Sequence, residues 1–375
     1  MRMLAPDDAA DVLQEMTPTD RPRFMAHLDD HARSEVSALL AYSEDQAGGL
    51  MNPRSVRVRP EMTVDEAVGY VRRRSRERAE TISYLYVLDH DQKLQGVISF
   101  RDLFVALPDK KISDIMRRDV VCVPEEMDRE EVARVIAMHD LVAVPVIDAE
   151  RRMRGIVTVD DIVDVVQSEA TEDIQKMGGM EALDAPYLRT SFWEMLRKRG
   201  GWLSLLFVGE MLTASAMGAF QDELAAAVVL ALFIPLIISS GGNSGSQATT
   251  LVIRALALGE LRLIDWGRVV QREAAMGIAL GTLLAALGVL RILLWQGLFG
   301  SYGAHAGVLS LAVGLSVIGV VLWGTLAGST LPFVLRRFRL DPASASAPLV
   351  ATLVDVSGLA IYFTIARIIL HGTLL

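Results

Sequence analysis

Up to about residue 199 the apolar positions come in short, alternating groups, and from residue 200 onward they run in long blocks. Five blocks, 201–220, 224–256, 269–298, 306–335 and 345–373, reach the roughly 20 residues a helix needs to cross a bilayer. The second block is interrupted by "IISSGGNSGSQATT" (237–250), which sets glycines, serines, an asparagine and a glutamine at membrane depth. Loosened backbone is tolerated there only when it is buried in protein or lines a watery path. Gly241, Gly242 and Gly245 permit close backbone approach and freed carbonyls, and Asn243 and Gln247, four residues apart, can share a helix face. Tight helix packing through small residues is the alternative. A phosphate loop is the poorer reading, since no lysine follows.

The first half carries an internal repeat. "VLDHDQKLQGVISFRDLF" (87–104) matches "VIDAERRMRGIVTVDDIV" (146–163) position for position. Each copy opens near Met-x-x (Met51-Asn52-Pro53, Met116-Arg117-Arg118) and predicts a short strand (56–58, 120–123), a helix with an acidic start, a strand pair and a second helix. This β-α-β-β-α order resembles tandem CBS (cystathionine-β-synthase-type) units, here 51–113 and 114–168, which pair into one regulatory module. Both copies contain Gly-x-x-[Ser/Thr]-x-x-Asp, as Gly96/Ser99/Asp102 and Gly155/Thr158/Asp161. In CBS modules that motif can hold an adenine nucleotide, the Asp on the ribose hydroxyls; helix capping by Ser99 and Thr158 explains it equally well. Residues 1–50 hold short amphipathic helical stretches, within 4–46, too little for a core of their own.

Charge orients the chain. Arg197, Lys198 and Arg199 precede the first span, Gln221-Asp222-Glu223 after it has no basic residue, Arg262, Arg268 and Arg272 follow the second span, and Arg336, Arg337 and Arg339 the fourth. Short arginine-rich loops stay inside, which predicts a cytoplasmic N-terminal half and an outer Leu375. No basic-plus-apolar secretion signal opens the chain, and a single cysteine, Cys122, fits a reducing compartment. A net charge of −9 disfavours nucleic acid as a partner.

The sharpest chemistry is Asp355 in "TLVDVSGLAIYF". A midplane carboxylate costs about 2.5–3.5 kcal/mol on insertion scales, so it is expected to face a cavity or a partner. Pairing with a basic residue is the alternative, but Arg367 lies toward the other end of the span. Glu210 is a second intramembrane acid, open to a structural or a functional reading. Carboxylate, carbonyl and amide oxygens suit Mg²⁺ or Ca²⁺ rather than zinc or copper. Asp161, Asp164, Glu169, Glu172 and Asp173 crowd the stretch after the second repeat; they read either as a solvated face or as carboxylates that a divalent cation bridges. No nucleophile–base pair, zinc spacing or phosphate loop marks an enzyme.

Together, "PLIISSGGNSGSQATTLVIRALALGEL", "DPASASAPLVATLVDVSGLAIYF", the tandem CBS module and "SEATEDIQKMG" resemble the MgtE-type magnesium channels/transporters, from about residue 40 to the end. The resemblance implies an α/β cytoplasmic CBS module, a connecting (plug) helix at 169–192 and an all-α pore domain of five transmembrane helices at 193–375, assembled as a homodimer with the pore on the two-fold axis. It implies Mg²⁺ transport across the bacterial inner membrane, with Asp355 as the pore carboxylate and Asn243, Gly242 and Ala351 as pore lining. Regulatory Mg²⁺ is expected at Glu130, Ala137 (backbone), Asp140, Asp161, Asp164, Glu169, Glu172 and Asp173. ATP is the further ligand, on Gly96, Ser99, Asp102, Gly155, Thr158 and Asp161, which gives Asp161 two roles. Relatives generally have a longer N-terminal helical domain; here only its last portion, through "SEDQAGGLM" (43–51), is recognisable, which predicts a weaker or differently set sensor. Two rival readings stay open: a broader Co²⁺/Mn²⁺ transporter, and a membrane-anchored CBS nucleotide sensor.

Overall fold

The structure is a computed structural model that describes residues 4–17, 19–74 and 83–371. It divides into two units, Met1–Glu169 and Ala170–Leu375.

In the first unit, α1 (Pro6–Glu15), α2 (Arg21–Met25), α3 (Asp30–Leu39) and α4 (Ala47–Leu50) precede the repeats. The first repeat runs β1 (Arg57–Val58), α5 (Val64–Arg74), β2 (Tyr84–Leu88), β3 (Leu94–Ser99), α6 (Phe100–Val105) and α7 (Ile112–Ile115). The second runs β4 (Val123–Pro124), α8 (Arg129–Met138), β5 (Ala143–Ile147), β6 (Met153–Thr158) and α9 (Val159–Met177). Each forms a three-stranded sheet, its first pair parallel across a crossover helix and its second pair antiparallel. The register is shared too: Val87 faces Gly96 and Val146 faces Gly155, and each antiparallel pair shifts register at the following residue. The repeat read from the sequence is therefore a repeat of hydrogen bonding.

Turn chemistry repeats as well. Asp89 Oδ1 accepts the N–H groups of Asp91 and Lys93, both at 2.9 Å, and Asp148 Oδ1 accepts those of Glu150 (3.0 Å) and Arg152 (2.8 Å). Burial works against the Asp148 carboxylate, yet these hydrogen bonds and the Arg152 and Arg154 charges hold it below the usual range. The N-terminal helices have no core of their own: Leu13, Phe24, Val36 and Leu39 share one with Val132, Ile136, Val144 and Ile162. Asn52 Nδ2 adds a buried hydrogen bond to Asp7 at 3.0 Å.

The second unit contains the end of α9, then α10 (Phe192–Ala219), α11 (Gln221–Ala226), a 3₁₀ stretch (Val228–Phe233), α12 (Ile234–Ala257), α13 (Trp266–Phe299), α14 (Ala306–Arg337) and α15 (Ala347–Leu370). Five of these segments are long and apolar enough to cross a membrane. α10 starts earlier than the hydropathy block because Ser191 caps it, its hydroxyl accepting the Glu194 N–H at 3.3 Å. α14 packs against α12, α13 and α15.

Two expectations are corrected. The stretch 237–250 is unbroken helix inside α12, not loosened backbone. Its glycines at 241 and 245 instead admit α14: a Cβ on Gly324 would stand 2.3 Å from the Gly241 carbonyl oxygen, and one on Gly328 2.2 Å from that of Gly245. Two helix backbones thus meet through four glycines in a small-xxx-small seam, the packing alternative weighed above. Gly324→Ala is expected to cost about 1–3 kcal/mol by overpacking and to lower the thermal midpoint of the detergent-solubilised chain. An unchanged midpoint would show that the seam has slack.

The second correction concerns the connecting helix that the resemblance extends to 192; the residues themselves predict a linking helix that ends near Gly178-Gly179, and there the structure agrees. α9 ends at Met177, and Gly179 follows with φ +74°, a left-handed turn that ends the helix. Residues 178–191 are irregular rather than helical. The Lys198 ammonium fixes this segment, donating to the Ala182 carbonyl at 2.5 Å and pairing with Asp184 at 2.6 Å.

Candidate functional site

α12 has two chemically distinct faces. Gly241, Gly245, Ala248 and Val252 are buried; the seam to α14 takes up Gly241 and Gly245. Offset around the helix, Ser239, Gly242, Asn243 and Ser246 recur at helical spacing and line an open groove of about 410 Å³ with Ala351 and Asp355 of α15. All four predicted pore residues therefore meet in one place. Gly242 sets the width: a Cβ there would lie 3.5 Å from Ala351 Cβ and 3.9 Å from Asp355 Oδ1, so alanine would fit but a longer side chain would enter the groove.

The donors are oxygens. Asn243 Nδ2 donates to Ser239 Oγ at 3.3 Å, which leaves its amide oxygen as an acceptor. Mg²⁺ keeps an octahedral shell of waters, and the groove, about 410 Å³ and open to one side, offers these oxygens to such a shell. Pro235, Ile238, Ser239 and Ser246 join the lining; the sequence signal that finds them is helical spacing, Ser239 and Ser246 four and three residues from Asn243, Ile238 and Pro235 four and seven from Gly242.

Asp355 sits eight residues into α15, about 12 Å along its axis at about 1.5 Å per residue. Arg367 is engaged elsewhere, 3.9 Å from Glu223. The ionisable neighbour that acts on Asp355 is another acid, Glu210 of α10, which accepts a hydrogen bond from Thr352 one turn before Asp355. Gln247, the expected companion of Asn243, is exposed and does not line the groove.

The predicted regulatory residues lie on two helices and one turn. Glu130 and Ala137 belong to α8, and Asp140 follows that helix with φ +51°. Asp161, Asp164, Glu169, Glu172 and Asp173 belong to α9. Among the described residues no three acids or histidines converge as a metal cluster. Glu169 pairs with Arg129 at 2.5 Å, and Glu172 pairs with Lys176. Lys176 also donates to Asp341 Oδ2 at 2.6 Å; burial disfavours its charge, but the two carboxylates outweigh that and raise its pKa. Beside it, Met177 packs against Ile253, Ala343 and Ala345. No sequence signal pointed to this anchorage. Burial raises the Asp161 carboxyl above its ordinary value against hydrogen bonds from Thr158, whose hydroxyl donates at 2.6 Å.

The nucleotide motif residues have structural employment. Ser99 caps α6, accepting the Asp102 N–H at 3.0 Å, and Asp102 lies 3.6 Å from Arg117. Thr158 spends its hydroxyl on Asp161. A Cβ on Gly96 would stand 2.9 Å from the Arg117 carbonyl oxygen, and one on Gly155 2.7 Å from that of Asn52, where the segment opening one repeat pairs with the last strand of the other.

Comparison with known proteins bears on both units. The family model described as a divalent cation transporter (MgtE) matches residues 234–365, the CBS domain model matches 47–109 and 112–168, and the MgtE intracellular N domain model matches 1–45. The magnesium transporter MgtE of Thermus thermophilus is 44% identical over 369 residues, covering 98% of this chain and 80% of that protein. The magnesium transporter MgtE of Bacillus subtilis is 34% identical over 372 residues, covering 99% and 80%. A crystal structure of the cytosolic domain of the Mg²⁺ channel MgtE in complex with ATP is 48% identical, with a TM-score of 0.42; it covers 43% of this chain, which spans 66% of that one.

Proposed function

This chain belongs to the MgtE family of divalent cation transporters, and from that premise we propose that it carries Mg²⁺ across a membrane along the groove between α12 and α15. It is a transporter and not an enzyme. The observation that carries the pore assignment is the convergence of Asp355, Asn243, Gly242 and Ala351 on one groove, to which Asp355, Asn243, Ser239 and Ser246 bring side-chain oxygens.

Mg²⁺ gives up its water reluctantly, and an open groove lets Asp355 attract the ion through its hydration shell. Selection then rests on charge and hydrated size. The groove is open along one side, and a second copy of the chain closes it, bringing two Asp355 carboxylates to a shared axis. The assembly is a homodimer in the bacterial inner membrane with its N-terminus in the cytoplasm, and the segment 169–192 couples the CBS module (51–113 and 114–168) to the pore domain (193–375).

Cytosolic Mg²⁺ is read by Glu130, Asp140, Asp161 and Asp164, the Ala137 carbonyl, and Glu169, Glu172 and Asp173 of α9. A cation there relieves carboxylate repulsion and biases a two-state element through its differential affinity. ATP is a second ligand of the CBS module, at Gly96, Ser99, Asp102, Gly155, Thr158 and Asp161. The anchorage of α9 by Lys176, Asp341 and Met177 supports transmission along that helix.

Flux through the purified chain in liposomes tests the reading. Mg²⁺ uptake is expected to saturate and to slow as Mg²⁺ on the cytoplasmic face is raised. Faster Co²⁺ or Mn²⁺ than Mg²⁺ flux would favour the broader transporter. A folded chain passing no divalent cation would leave only the anchored nucleotide sensor.

A further inference from the structure

α10 brings a second carboxylate, Glu210, up to Asp355, beside the groove rather than in its lining. At Gly209 a Cβ would stand 2.7 Å from Thr352 Cγ2, so glycine is what lets α10 close on α15 at this level. That approach brings the next residue, Glu210, to Thr352, and so beside the Asp355 carboxyl. Thr352, one turn before Asp355, donates its hydroxyl to Glu210 Oε1 at 3.3 Å, and Thr213 lies 3.5 Å from Oε2. Leu206, one turn earlier on the same helix, is buried, whereas Glu210 is exposed at the edge of the contact.

A structural role does not account for the charge. Glutamine would accept the same hydroxyl hydrogen bond without bringing a second negative charge to Asp355 inside a membrane-spanning segment. Among the described residues neither acid has a basic partner in an ion pair. A carboxylate kept under these conditions answers to something cationic that the chain itself does not supply.

We propose that Glu210 is a specificity-determining residue of the pore, standing beside Asp355 so that each protomer presents two carboxylates to the hydrated cation. This rests on the pore reading of Asp355. Glu210 acts through the ion's water shell, and Thr352 holds it in place. Because Coulomb attraction scales with ion charge, each added carboxylate favours a divalent ion twice as strongly as a monovalent one. The second acid therefore raises both Mg²⁺ occupancy at low concentration and the preference over Na⁺.

The test uses the full chain in liposomes, with Mg²⁺ and Na⁺ as the probes and Glu210→Gln, Glu210→Asp and Asp355→Asn as the variants. Glu210→Gln is expected to raise the half-saturating Mg²⁺ concentration about five- to tenfold, with a smaller fall in maximal rate, and to cut the Mg²⁺-over-Na⁺ preference by a similar factor. Glu210→Asp, which keeps the charge, is expected to recover at least half of both shifts. If half-saturation and preference in Glu210→Gln stay within about twofold of the unsubstituted chain while the thermal midpoint falls, Glu210 serves helix packing alone and the proposal is overturned. Should Glu210→Gln not fold, Glu210→Asp decides: both quantities unchanged overturns the proposal, and an intermediate shift in both supports it. Asp355→Asn separates the two ideas. Full flux in that variant removes the pore reading itself, whereas its loss beside an unaffected Glu210→Gln removes only the role given to Glu210.

Discussion

Asp355→Asn is expected to lower the initial rate of Mg²⁺ uptake in liposomes by at least about 100-fold, a factor that corresponds to about 2.8 kcal/mol. The amide keeps the volume and the hydrogen-bonding reach of the carboxylate, so the groove with Asn243 and Gly242 stays intact and only the charge is lost. A unit charge acting on a divalent ion at about 5 Å contributes about 1.7 kcal/mol even at the dielectric constant of water, and more where water is partly excluded. In the proposed dimer two such charges disappear together. Growth of a Mg²⁺-uptake-deficient strain at low Mg²⁺ provides a second readout, with thermal melting as the control for folding. Uptake within about threefold of the unsubstituted chain would remove Asp355 from the permeation path and leave the groove without a function.

Much of the architecture was readable because it rests on local periodicity. Strand pairs and turn aspartates recur at one spacing, so Asp89 and Asp148 could be aligned before any sheet was seen. The five apolar segments followed from length and hydropathy. Contacts that depend on two helices meeting were not readable. Polarity in the middle of α12 reads as loosened backbone, whereas Gly241 and Gly245 meet α14 and Ser239, Asn243 and Ser246 face the groove on one regular helix. Glu210 was recognisable as an intramembrane acid, but nothing in its neighbours reveals that Gly209 seats it beside Asp355. Local capping likewise competes with ligand motifs in sequence: Ser99 fits a nucleotide motif and a helix cap equally, and in the structure it caps α6.

Asp161→Ala combined with Glu172→Ala is expected to leave Mg²⁺ flux running at an internal Mg²⁺ concentration that silences the unsubstituted chain, moving half-inhibition up by about tenfold or more. The two acids contribute differently. Asp161 is largely buried, and desolvation raises its pKa despite the Thr158 hydrogen bonds. Its ionised form is therefore costly until a cation arrives, which couples Mg²⁺ binding to that form. Glu172 shares Lys176 with Asp341, so drawing Glu172 toward a cation leaves Lys176 to Asp341 alone and alters how the end of α9 is held. Protons and Mg²⁺ compete for the Asp161 oxygens. Because its pKa is raised, that competition begins at a higher pH than for an ordinary carboxyl, and inhibition by internal Mg²⁺ should weaken as the pH falls toward it. Asp161→Ala should flatten that pH dependence, whereas Glu172→Ala alone should preserve it. Inhibition curves that coincide with the unsubstituted chain at every pH would deny both acids a part in sensing, and the control of the pore would then have to be sought at other residues.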